Sequence, residues 1–209
     1  MNEGEKMKPL QIGYLLRSGT TGFVAGCSVS QLASPALGAL ISAPLSSGYQ
    51  VYGLIHDIHI DDDGLVRQLV TADNISQEVM RDNRERRIVP VEMSVLTVGW
   101  EQDGRISHLL PPRPPLSLDV INLCDEDELV KFTGAGSFGY FRHVLRNKDL
   151  PIGEILAAHI QQAGAAHAHK GNLLWQEQAA QELIILLRDD YPTLMSVLSA
   201  LGDALPLDK

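Results

Sequence analysis

A mainly β fold with helices, built as a small closed or nearly closed β-barrel followed by a C-terminal helical region, is what this sequence predicts. Three observations carry the expectation. Between Ile12 and Ile60, four runs rich in Val, Ile, Tyr and Phe are separated by clusters of Gly, Ser and Pro, the signature of short strands joined by turns. Turn signals at roughly 8–12-residue spacing suit a sandwich or a small barrel. Gly13, Gly22, Gly26, Gly38 and Gly53 lie in or beside those runs, where glycine weakens a flat strand but permits a bulge or a barrel corner.

Taken in order, residues 1–9 read as a flexible tail. A first hairpin, Gln11–Leu16 and Gly22–Val29, turns through Ser18, Gly19, Thr20 and Thr21, small residues suited to a tight reversal. Leu37–Ala43 is the next strand. Gln50–Ile60 is the longest strand of the stretch, and it ends in the acidic turn Asp61-Asp62-Asp63-Gly64. From Leu65 to Arg87 the apolar spacing becomes helical, which predicts two short helices as an excursion between strands. Ile88–Trp100 returns to β character, and Asp103-Gly104 marks a hairpin turn into Ile106–Leu110. Pro111, Pro112, Pro114 and Pro115 stiffen an extended strap over the barrel. Asp119–Leu123 is a last short strand, and Asp125 caps a helix to about Phe132, with acids where the helix dipole favours them.

The remainder is helical. Ser137–Leu145 holds a turn or two, and Pro151 occupies the first position of a helix to about Ala163. Asn172 is placed to cap an amphipathic helix, Leu173–Arg188, and Pro192 starts a final helix through about Leu205. The expected organisation is therefore a tail at 1–9, a barrel domain at 10–133 with its excursion near 65–87, and a helical region at 134–209.

The residue order of the first strands resembles a known family. It reads Ile12-Gly13-Tyr14-Leu15, then Phe23-Val24, then Pro35-Ala36-Leu37-Gly38-Ala39-Leu40-Ile41, then Gly48-Tyr49-Gln50-Val51-Tyr52-Gly53-Leu54-Ile55. This is similar to the HAS-barrel, the N-terminal barrel shared by HerA-type DNA translocases and rotary ATP synthase subunits. In that family a Gly-containing hydrophobic strand is followed by a leucine-glycine-x-hydrophobic strand and a valine-x-glycine-hydrophobic strand. Asp149-Leu150-Pro151-Ile152-Gly153-Glu154-Ile155 looks like the segment that leads from such a barrel toward the motor. The resemblance implies a barrel that packs against its copies in a ring and offers a docking face to a nuclease or motor.

A nucleotide motor would need a Gly-rich loop ending in Gly-Lys-Ser/Thr, whose backbone N–H groups and lysine hold the phosphates. Thr133-Gly134-Ala135-Gly136-Ser137-Phe138-Gly139 is Gly-rich but lacks the lysine and follows a helix instead of a strand. It reads as a linker, and no motor residue of the family maps onto this chain.

With 44% hydrophobic and 21% charged residues, the 209-residue chain has an ordinary globular composition. Its 17 Lys and Arg against 26 Asp and Glu give a net charge of −9, which disfavours a large phosphate-tracking surface. Cys27 and Cys124 are far apart and read as free thiols in a reducing compartment. With no apolar leader and no membrane-length apolar run, the expected location is cytoplasmic.

No reactive constellation emerges, so the expectation is no enzyme, no cofactor, no metal and no catalytic residue. His56 and His59 fall on opposite strand faces by the period of two. His167 and His169 face apart on a helix, and Gly164 weakens a continuous helix that would align His159 with His167. Surface or cap roles are expected for these histidines. The contact candidates are the cluster Arg81, Arg84, Arg86 and Arg87, for an acidic partner or a DNA backbone, and the helical stripe Leu173, Leu174, Leu183, Ile184 and Leu187. The expected function is a non-catalytic barrel adaptor or assembly module, partnering a separately encoded HerA-type ATPase or nuclease in DNA processing, with self-association and only indirect nucleic-acid contact. The alternative is a small enzyme or ligand-binding protein with its site at the barrel mouth.

Overall fold

The computed structural model describes residues 10–30, 35–45, 48–60, 76 and 88–205. Among them are seven strands: β1 (Leu10–Ser18), β2 (Gly22–Ser30), β3 (Leu40–Pro44), β4 (Tyr49–Ile60), β5 (Ile88–Gln102), β6 (Arg105–Ser107) and β7 (Val120–Leu123). Five helices follow: α1 (Glu126–Gly134), α2 (Phe141–Leu145), α3 (Ile152–His169), α4 (Trp175–Leu186) and α5 (Tyr191–Ala204).

The neighbours run β2-β1-β7-β3-β4-β5, and β5 pairs back onto β2. Six antiparallel strands therefore close into a barrel, as predicted, and closure removes the unpaired edges an open sheet would expose. β6 is an extra strand. Its three residues pair with Trp100–Gln102 of β5, while Ile88–Leu96 of β5 pair with β2. Gly99 lies where β5 changes partner, and a Cβ there would stand 2.5 Å from the Ser107 carbonyl oxygen.

The strand period of two divides the apolar residues between two cores. Ile12, Leu15, Phe23, Ala25, Ile41, Ala43, Val51, Ile55, Val91, Met93, Val95 and Ile121 fill the barrel. Leu40, Tyr52, Leu54, Leu96 and Val98 point the other way and pack with Phe132, Tyr140, Phe141, Ile155, Leu156, Trp175 and Leu183 of the helical layer. Both faces of the β3-β4-β5 wall are thus covered, which is why Val51–Ile55 is buried at every position.

Several boundaries differ from the sequence expectation, each for a local reason. β3 starts at Leu40 instead of Leu37, because Gly38 has φ +74° and the Ala39 amide donates to the Ala36 carbonyl. β6 stops at Ser107, since the His108 carbonyl accepts from the side chains of Arg142 and His143. α3 runs unbroken through Gly164 to His169. A Cβ at Gly164 would collide with the Gln176 side chain, so packing against α4 requires the absent side chain there. Asn172 does not cap α4. Its amide donates to the His167 carbonyl and Gly171 sits at φ +87°, so this pair closes the end of α3, and α4 begins at Trp175 after Leu174.

Two start signals were legible. Asp125 and Glu128 form a capping box at α1. Asp190 accepts from the Thr193 amide at 3.3 Å ahead of α5, with Pro192 in its first turn. Apart from Ser76, the expected helical excursion at 65–87 lies outside the described residues.

Candidate functional site

The first contact candidate, Arg81, Arg84, Arg86 and Arg87, lies outside the described residues. The second is divided by the structure. Leu183 and Leu187 are buried in the helical core, whereas Leu173, Leu174 and Ile184 are exposed. Trp175, Ala179, Leu183 and Leu187, spaced four apart, form the inward stripe of α4. The four leucines and one isoleucine expected as one interface are therefore two sets, and Leu173 and Leu174 precede the helix.

A different surface gathers exposed apolar side chains. In the six-strand ring β1 lies opposite β4, so among the described residues the helices that pack on β4 do not reach the outer wall of β1. Ile12 and Leu15 of β1 point into the barrel. Ile12 and Leu15 share the inner face because of a register shift between Gln11 and Gly13, and Leu16, two residues after Tyr14, faces outward beside it. Leu10, Tyr14 and Leu16 are exposed, and Leu16 lies over Gly26 of β2.

The proline strap borders this wall. Ser18 Oγ donates to the Pro115 carbonyl at 2.6 Å, and Ser117 Oγ donates to the Leu16 carbonyl at 3.4 Å. The Leu118 amide donates to the Leu15 carbonyl at 2.8 Å. A turn pinned by the Leu116 amide on Asp119 Oδ2, 2.6 Å, holds Leu118 at φ +71° with 77% of its surface exposed. A left-handed leucine costs about 1 kcal/mol relative to glycine. The turn thus presents a large apolar side chain to solvent at a position where glycine would be cheaper. Sequence reasoning saw the strap but not this wall. Its signal was the pair Tyr14 and Leu16, too apolar for the solvent side of a strand.

At the end of the barrel nearest the strap, Leu45, Tyr49, Gln102, Asp103, Pro112, Arg113, Pro114 and Leu116 line a cleft of about 760 Å³. Tyr49 Oη donates to the Arg113 carbonyl at 3.2 Å and so ties the strap over this mouth.

Between barrel and α1 lies a buried polar network. The Glu101 carboxylate accepts from Tyr52 Oη at 2.8 Å, Gln50 Nε2 at 3.1 Å and Lys131 Nζ at 2.5 Å. Burial alone would raise the Glu101 pKa, but the hydrogen bonds from Lys131, Tyr52 and Gln50 outweigh it and hold the carboxyl below its usual range. Burial, then the bond to Glu101, drives the Tyr52 phenol upward, so it stays a neutral donor. Glu101→Ala should cost about 2 kcal/mol, because the buried Tyr52 hydroxyl loses its acceptor. Lys131→Ala should cost less, about 1 kcal/mol, since the pair is half exposed on the lysine side and Glu101 keeps its bonds from Tyr52 and Gln50. Urea unfolding of both variants checks the order, and equal losses would contradict this account of the network.

His159 and His167 are core residues, not surface or cap residues, whereas His169 is exposed at the end of α3 with Nδ1 3.1 Å from Glu126 Oε1, as expected. His159 is fully buried on α3, with Nδ1 3.1 Å from the Gly38 carbonyl and Nε2 3.1 Å from Tyr140 Oη. A carbonyl only accepts, so Nδ1 carries the proton and Nε2 accepts from the phenol. His167 stacks on the Trp175 indole, centroids 4.6 Å apart and planes 8° from parallel. Its Nε2 lies 2.8 Å from Thr133 Oγ1, whose hydrogen is already given to the Leu129 carbonyl, so His167 donates. His56 is half-buried and His59 exposed, beside the β4 bulge between Ile55 and Asp57. Among the described residues no three His, Cys, Asp or Glu side chains are grouped to hold a metal, and no helix is long and apolar enough to cross a membrane.

Compared with known proteins, the chain matches no family model and no curated sequence.

Proposed function

We propose that this chain is a non-catalytic barrel adaptor, an assembly module that docks a separately encoded HerA-type ATPase or nuclease and self-associates, with nucleic acid contacted only through that partner. The observation that carries this reading is the outer wall of β1, where Tyr14, Leu16 and the left-handed Leu118 stand exposed opposite the helix-covered wall. Exposed apolar groups clustered on a rigid barrel suit a partner surface better than bulk water. The sequence resemblance to the HAS-barrel supplies the class of partner. The closed barrel is consistent with that resemblance, and fold alone assigns no activity.

Affinity capture from native lysate, paired with light scattering on the purified chain, tests the reading. The wild type should retain an ATPase or nuclease identified by mass spectrometry. Tyr14→Ser with Leu118→Ser should reduce that capture about tenfold or more, as loss of central apolar anchors does. Leu118→Gly removes the side chain and relieves the backbone, so it should lose the partner while keeping the melting temperature within about 2 °C. A monomer that captures neither class and turns over a small molecule would overturn the adaptor reading.

A further inference from the structure

We infer that the barrel mouth beneath the proline strap binds a compact apolar molecule carrying one anionic group. This goes beyond the adaptor reading and uses a different surface. The cleft holds about 760 Å³, within the range of about 300–1,000 Å³ common for small-molecule sites. Leu45, Tyr49, Pro112 and Leu116 supply apolar walls, and Arg113 supplies a cation.

The rim is set before any ligand arrives. Prolines restrict the strap, and Tyr49 Oη and Ser18 Oγ tie it to the barrel, so little ordering remains to oppose binding. With its hydroxyl committed to the strap, Tyr49 offers its ring to the cleft. That ring lies 5.7 Å from the indole of Trp100, whose buried Nε1–H has no hydrogen-bond partner among the described residues. Asp103 also lines the cleft, from a turn where its amide donates to the Gly48 carbonyl at 3.0 Å. One carboxylate and one guanidinium on the same cleft tolerate a single anionic group close to Arg113 and oppose a second.

Two fluorescent probes of similar shape test this on the full-length protein: anilinonaphthalenesulfonate, which is anionic, and phenylnaphthylamine, which is neutral. The sulfonate should bind one saturable site, with energy transfer from tryptophan that falls sharply in Trp100→Phe. Arg113→Ala should weaken the sulfonate about fivefold, the scale of one exposed charge contact, and leave the neutral probe unchanged. Asp103→Asn should tighten the sulfonate, and Leu116→Asp should expel both probes. Ile185→Ser and Leu118→Ser, on other surfaces, should leave both affinities unchanged. Non-saturable binding, equal response of the two probes to Arg113→Ala, or loss of binding in Leu118→Ser would overturn the inference.

Discussion

Replacing Gly38 by alanine should destabilise the protein by about 3 kcal/mol or more, a fall in melting temperature on the order of 10 °C for a chain of this length. Two penalties combine. Gly38 has φ +74°, which costs an L-residue about 1 kcal/mol. The added Cβ would also stand 2.7 Å from the backbone nitrogen of His159 and 3.0 Å from the Ile155 carbonyl oxygen. Helix backbone cannot rotate aside as a side chain can, so α3 must shift from the barrel. That shift breaks the His159 bond to the Gly38 carbonyl and disturbs its bond to Tyr140. Gly104 supplies the control. It has φ +81° with nothing within 4 Å of its virtual Cβ, so Gly104→Ala should show the conformational cost alone, about 1 kcal/mol. Equal losses at the two positions would contradict the close approach of barrel and α3.

Acidification should remove about 3 kcal/mol of stability between pH 6.5 and 4 through His159 alone. Burial lowers its pKa from 6.5 to about 4, partly opposed by the bond to the Gly38 carbonyl. In this window the unfolded chain takes up a proton that the folded chain refuses, so stability falls as pH falls. A difference of about 2.5 pKa units corresponds to about 3 kcal/mol. Burial also lowers the pKa values of His108, His143 and His167, which adds to the same trend. Burial raises Glu128, whose contribution has the opposite sign. Urea unfolding at stepped pH should show a slope that flattens in His159→Gln. An unchanged slope would mean that His159 does not remain neutral in the fold.

The barrel was legible because its signals are local. Strand runs, the Asp103-Gly104 turn and the Asp125 capping box each act through neighbours in sequence. His159 and His167 were misread because burial is a tertiary property. Gly164 looked like a helix breaker, yet α4 packs so tightly against α3 that the Gln176 side chain occupies the place of its missing Cβ. With α3 continuous, His159 and His167 both enter the core. The stripe on α4 was half right for a related reason. Four-residue spacing found Leu183 and Leu187, but Leu173 and Leu174 fell before a helix start displaced by Asn172 closing α3. The β1 wall was hidden by a register shift between Gln11 and Gly13 that breaks the strand's alternation ahead of Tyr14 and Leu16, and no turn rule places leucine at φ +71°.

Amide hydrogen exchange on the free chain and on its captured complex tests the central claim most directly. The account predicts that protection gained on binding is confined to β1, residues 10–18, and the strap turn, residues 115–119. Protection centred instead on the exposed Ile184, Ile185, Tyr191 and Met195 of α4 and α5, with β1 unchanged, would contradict it.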